Sequence, residues 1–238
     1  MLVHAHSFAI NRGIAEHVHV ELDTRGGLPA FSVIGLGAGA ARDARERVQA
    51  AVLNSGFGFP RRRVTVNLAP AATRKGGPEL DLVLACCVLA AEHHIDADRL
   101  ARIGVFAELG LGGDLRPCES ADAAAEAADR AGLAGLIVAR GDLHLARGAS
   151  RLPVAGLESL REVAAFLAGA LPRPTPGPGR GLASGSADDG GARRVVGRAG
   201  ARGPAAASSA GAPRPPPSRS ARADMNAGSD RAGDHRRR

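Results

Sequence analysis

Side chains able to build a core run out at residue 170. Residues 171–238 hold only four Leu, Ile, Val and Phe combined against 12 Gly and 9 Pro. That is too little apolar surface to offset the entropy of ordering a chain, so the segment is expected to be disordered. It also holds the positive charge: 13 Arg against 5 Asp give it +8, while residues 1–170 carry 18 basic and 19 acidic side chains, or −1. The organisation expected is one domain over 1–170 and an Arg/Gly/Pro/Ala-rich tail over 171–238. A domain of that length buries roughly 70% of the surface its unfolded chain exposes. No apolar run approaches the roughly 18 residues of a membrane span, and the N-terminus lacks the charged-then-apolar layout of a signal peptide. A cytoplasmic protein with no membrane partner is expected.

Cys86 and Cys87 adjoin in an apolar stretch and Cys118 stands alone. With no C-x-x-C spacing, neither a disulfide framework nor a structural zinc site is written here, and reduced, buried thiols are expected. Of the 31 basic residues, 30 are Arg and one is Lys, Lys75. A phosphate-binding P-loop needs G-x-x-x-x-G-K-[ST], whereas Lys75 lies in Ala-Thr-Arg-Lys-Gly-Gly. The chain therefore carries no Walker-type nucleotide site.

Val18, Val20 and Leu22 alternate with His17, His19, Glu21 and Asp23, the period of a half-buried strand, and residues 2–10 read as its hairpin partner. Leu28 to Gly35 reads as a third strand ending in a glycine-rich turn. A helix follows from Ala40 to Asn54, then a strand over Val64–Leu68, a polar loop from Pro70 to Pro78, and a nearly all-apolar helix from Glu79 to His93. Gly104 to Leu111 reads as a strand closed by Gly112-Gly113-Asp114. Ser120–Ala131 is a helix, Gly135–Ala139 and Leu152–Ala155 are strands, and Leu157–Leu167 is a last helix. This order argues an α/β or α+β fold, a mixed sheet with helices packed on one face.

Four constellations could carry chemistry. His4-x-His6 and His17-x-His19 could project four imidazoles from one face of the hairpin, but no carboxylate or cysteine completes a ligand spacing. They read as solvated polar positions, and no metal is expected. Gly35-Leu-Gly37-Ala-Gly39-Ala40 fits a loose dinucleotide fingerprint, yet the acidic residue expected after the next strand is absent, which leaves a structural turn. Arg61, Arg62, Arg63, Arg74 and Lys75 are the basic clusters of the domain, and loops at neighbouring strand ends could join them against a phosphate backbone, with a solvated patch as the plainer reading. Cys118 and Ser120 are turn nucleophiles without a nearby His in sequence, and read as structural.

Three stretches, Gly26–Gly37, Arg45–Phe57 and Val64–Leu82, closely resemble the N-terminal domain of the magnesium chelatase-like YifB/ComM family, and Gly104–Pro117 fits the same family. The resemblance covers roughly residues 1–170. It implies a Lon protease-like fold of the ribosomal S5 domain 2 type, followed in full-length relatives by an AAA+ ATPase module that uses ATP and Mg. It also implies a hexameric homo-oligomer acting on DNA in branch migration during natural transformation. Lon-type proteolysis uses a Ser activated by a Lys. In the matching motifs Glu79 stands where that Ser would be and Asp122 lies near the Lys position, so a non-proteolytic domain with no catalytic residues and no cofactor of its own is implied. Where the ATPase module would follow, the tail stands instead. Its composition is that of GC-rich DNA read out of frame, and it reads as a frameshifted remnant in a truncated form. The rivals are a genuine basic tail binding nucleic acid by charge, and a residual hydrolase or a subunit partnered with a separate ATPase.

Overall fold

The computed structural model describes residues 1–179 apart from 72, 74, 76 and 173. Two long strands open it, β1 (Leu2–Asn11) and β2 (Ile14–Arg25), antiparallel with Asn11 facing Ile14. The two residues between them, Arg12 (φ 50°) and Gly13 (φ 78°), are both left-handed, the backbone of the two-residue turn whose twist matches a hairpin. That turn sets the register. β3 (Ala30–Ile34) leads into α1 (Ala38–Asn54), then β4 (Arg63–Ala69), a 3-10 turn at Pro78–Leu80, α2 (Asp81–Ala91) and the single turn α3 (Ala97–Leu100). β5 (Ile103–Phe106), β6 (Glu108–Leu109) and β7 (Leu115–Arg116) follow, then α4 (Ala121–Arg130), β8 (Gly135–Ala139), α5 (Leu143–Ala149), β9 (Val154–Leu157) and α6 (Leu160–Leu167).

Seven strands form one sheet in the order β3-β4-β2-β1-β5-β8-β9, antiparallel at β1–β2 and β2–β4 and parallel at the other four pairings. The fold class is thus α/β, the mixed sheet with flanking helices that the resemblance implies. Helices, however, cover both faces rather than the single face expected. Alternate residues of each strand point to opposite faces. Val105, Ile137 and Ala155 join α1, α2 and α6 in one core, while Phe8, Phe106, Leu136, Val138 and Val154 join α4 and α5 in a second. Helix α2 is buried all round, Asp81 included, which is why its sequence shows no polar stripe.

Several boundaries differ from expectation: the last helix starts at Leu160 rather than Leu157, and the strand before it spans Val154–Leu157 rather than Leu152–Ala155. The strand expected over Gly104–Leu111 breaks at Ala107 into β5, in the main sheet, and β6, which pairs only with β7. The helix expected from Glu79 begins as the 3-10 turn. The domain continues past 170: Leu171 packs on the core, Pro176 bridges to Pro153, and the Gly177 amide donates to the Leu152 carbonyl at 3.2 Å. The disorder expected of the tail, from residue 180 on, lies outside the described residues. Among those described, no helix is long and apolar enough to cross a membrane.

The glycine-rich turn has a steric explanation that does not involve a nucleotide. Gly35 has φ +98°, and a Cβ there would stand 2.7 Å from the Leu68 carbonyl oxygen. Only glycine lets β3 turn into α1 this close to β4.

Candidate functional site

A cleft of about 810 Å³ opens where β1 and β5 end beside each other, walled by the 3-10 turn and the Pro117–Glu119 loop. Glu79, Glu108 and Cys118 line it, with Arg12 and Lys75. Burial pushes the Glu79 carboxyl above its ordinary range, with Asp81 adding to the rise, while the backbone amides of Glu79 and Ile10 oppose it. Cys118 is pushed up to about 12, by burial first and then by the negative charge of Glu79, Asp142 and Glu108. Its amide donates to Asp142 Oδ2 at 2.9 Å, which anchors the loop on a carboxylate that is itself buried.

These environments decide what the cleft can do. A reactive cysteine needs positive charge nearby to hold a thiolate. Cys118 has carboxylates instead, so at neutral pH it stays a thiol. Lys75 donates its ammonium to the carbonyls of Pro70 and Thr73, and burial lowers its pKa against the pull of Glu16. Glu79 therefore shares the cleft with a thiol held in its protonated form and a lysine engaged with backbone carbonyls. Asp122 is at the start of α4, its carboxylate accepting the Ala123 amide at 2.9 Å, and is not among the described residues lining the cleft. Ser120, just before α4, has a left-handed φ of 65° and does not line it either. The chain's single lysine, Lys75, faces backbone carbonyls and lies outside any P-loop spacing. The folded protein should therefore resist thiol reagents. At pH 8 an aromatic disulfide should label none of Cys86, Cys87 and Cys118 promptly, and all three should appear together as urea unfolds the chain. Prompt labelling of Cys118 in the native state would contradict the site as described.

The two basic clusters do not meet. Arg61, Arg62 and Arg63 lie at the start of β4 and Lys75 beyond its end, so the length of a seven-residue strand, about 20 Å, separates them. Arg62 is also tied to Glu92 at 2.7 Å, which leaves Arg61 and Arg63 as the exposed members. Arg74 lies outside the described residues.

The histidines are not all solvated, as their alternation had suggested. His4 and His19 are exposed, but His6 and His17 are half-buried against each other, with ring centroids 5.0 Å apart. Sequence reasoning also missed the pair between Arg47 on α1 and the buried Asp81, whose Nε and Oδ2 are 2.5 Å apart. No periodicity links two residues so far apart in the chain.

Comparison with known proteins agrees with this architecture. The sequence profile described as "Subunit ChlI of Mg-chelatase" matches residues 20–142, more than half of the chain. "Uncharacterized protein YifB" of Escherichia coli K12 is 36% identical over 167 residues, 68% of this chain and 32% of the relative. "Uncharacterized protein Rv2897c" of Mycobacterium tuberculosis is 34% identical over 165 residues, 69% of this chain and 33% of the relative. "Competence protein ComM" of Haemophilus influenzae is 40% identical over 99 residues, 42% of this chain and 19% of the relative. The chain spans about a third of the length of the YifB relatives it matches. By profile, by relatives and by its mixed α/β sheet, the chain belongs to the magnesium chelatase-like YifB/ComM family and carries that family's N-terminal domain.

Proposed function

We propose that this chain acts as a non-proteolytic, Lon-like domain of a magnesium chelatase-like YifB/ComM protein, a binding and organising unit for an AAA+ motor that moves DNA branch points during natural transformation. One observation carries the reading. By the resemblance Glu79 stands where a Lon-type serine would be and Asp122 near the lysine position; Glu79 lines the cleft with a protonated Cys118, and the chain's single lysine, Lys75, faces carbonyls. Similarity to a competence protein supports the process. In this reading the domain turns over neither ATP nor peptide, works in the cytoplasm, contacts further copies of itself in a ring, and meets DNA through Arg61 and Arg63, with Arg74 and Lys75 as a separate contact.

Two assays test it. The purified chain should hydrolyse neither ATP with Mg2+ nor casein above background. Hydrolysis of either, abolished by a substitution in the cleft, would sink the binding-only reading. Affinity for branched DNA should fall steeply with salt, and the double variant Arg61→Glu, Arg63→Glu should bind at least tenfold more weakly. If that variant binds normally while a chain ending at Gly179 does not bind, the +7 charge of residues 180–238 (12 Arg against 5 Asp) carries the contact and the arginines of the domain do not.

A further inference from the structure

We propose that His6, His17 and His19 form a binding site for one divalent transition-metal ion, Zn2+ foremost, on the face of the β1–β2 hairpin. The site is a product of strand register. His6 faces His19 and Phe8 faces His17 across the hairpin, so the three imidazoles fall on one side of the sheet as near neighbours. Val3, Ala5, Val18 and Val20 point to the other side, into the larger core, and the tight turn at Arg12-Gly13 forbids a slip. One coordinating nitrogen from each histidine lies within 4.8 Å of the other two.

The detail fits imidazole coordination. His6 Nδ1 and His17 Nε2 are 3.0 Å apart. Zinc–nitrogen bonds of about 2.0–2.1 Å in a tetrahedron put ligand nitrogens about 3.3 Å apart, so this pair needs to open by only a few tenths of an ångström. His6 Nε2 lies 3.1 Å from the Ala101 carbonyl and must donate to it, which leaves Nδ1 with its lone pair toward the site. A carbonyl in that position is the usual outer partner of a metal-bound histidine, fixing both tautomer and ring orientation. The ring of Phe8 stacks on His17 with centroids 5.6 Å apart and holds it from the core side.

The lone pairs are also available. The 3.0 Å contact between His6 Nδ1 and His17 Nε2 already has one ring nitrogen accepting from the other. In the metal-free protein His17 Nε2–H donates to His6 Nδ1. An ion takes the place of that hydrogen as His17 moves its proton to Nδ1, with no net proton release. The set contains nitrogen alone, which selects zinc, cobalt, nickel or copper over the oxygen-seeking Mg2+ and Ca2+. Three protein ligands leave a position for water, and the exposed His19 marks the open side. The bound ion would clip β1 to β2 at the middle of the sheet.

The test is titration of the full chain with Zn2+, and with Co2+ for its absorption spectrum, while far-UV circular dichroism reports the fold. The expected result is one ion per chain, a tetrahedral cobalt band, and a rise of several degrees in melting temperature with zinc. His19→Gln, at an exposed position, and His6→Gln should each weaken binding at least tenfold. His93→Gln with His94→Gln, two exposed histidines just after α2, should leave it unchanged. Stoichiometric binding that survives both His19→Gln and His6→Gln, or that disappears in the His93/His94 variant, would overturn the proposal. So would the absence of saturable binding up to about 1 mM. Either result leaves the reading of the cleft and of the DNA contact untouched, since none of those residues takes part in them.

Discussion

Arg47→Met should destabilise the fold by about 3–5 kcal/mol, the cost of leaving a buried carboxylate without its partner. Asp81 is 1% exposed at the first residue of α2, and Arg47 of α1 grips both its oxygens, Nε at 2.5 Å and Nη2 at 3.2 Å. The two ends of this pair are unequal. Arg47 is 36% exposed and can swing into water once its partner is gone, whereas Asp81 cannot. Asp81→Asn should therefore cost far less than Arg47→Met. The pH dependence follows from the direction of the shift. Burial already raises the Asp81 pKa above 3.8, with Arg47 the largest opposing influence, so removing Arg47 raises it further. An acid whose folded pKa exceeds its unfolded one keeps its full contribution below the unfolded value and loses it as pH rises through the folded one. Urea denaturation should show the variant closer to wild type at pH 5 than at pH 8. An equal gap at both would place the loss in helix packing rather than in the stranded charge.

Phe8→Ala should cost a similar amount, about 3–5 kcal/mol, through the second core. That core is built largely from alanines of α4 and β2, with few large side chains to fill it. Phe8 is fully buried there, edge-on to Phe106 with centroids 6.4 Å apart. Small neighbours on a helix cannot collapse into the space an aromatic ring leaves, so most of the cavity would persist. Val48→Ala, in the larger core around α1, should cost less because fewer methyl groups are lost. With no Trp or Tyr in the chain, far-UV circular dichroism is the natural probe. A small loss for Phe8→Ala would mean that α4 holds to the sheet by other contacts.

Much of this architecture was legible in the residues. Alternation across Val18, Val20 and Leu22 marked a strand, and the arginine-rich stretch after Ala40 marked an amphipathic helix; both stand. Two-sided burial was missed although its sign was present. Gly135–Ala139 is apolar throughout, and every residue of β8 is buried, as in a parallel strand covered on both faces. Helix α5 was missed because seven residues barely complete two turns, too few for a period to show. The candidate sites fared unevenly for a similar reason. Spacing placed the histidines on one face of each strand, but only the turn set which histidine faces which. The arginines and Lys75, grouped by the loops that carry them, sit at opposite ends of β4, a separation that spacing along the chain does not reveal.

Sheet order and chain order disagree, and this bears on how the protein is made. β1 leaves the ribosome well before β5 yet lies mid-sheet, between β2 and β5. β2 can zip onto it at once, but its other edge stays open until Ile103–Phe106 has emerged, with the greasy helix α2 already exposed in between. Nascent chains of this kind invite edge-to-edge sticking and lean on chaperones. A fragment cut before β5 is therefore no smaller domain but an aggregate in waiting.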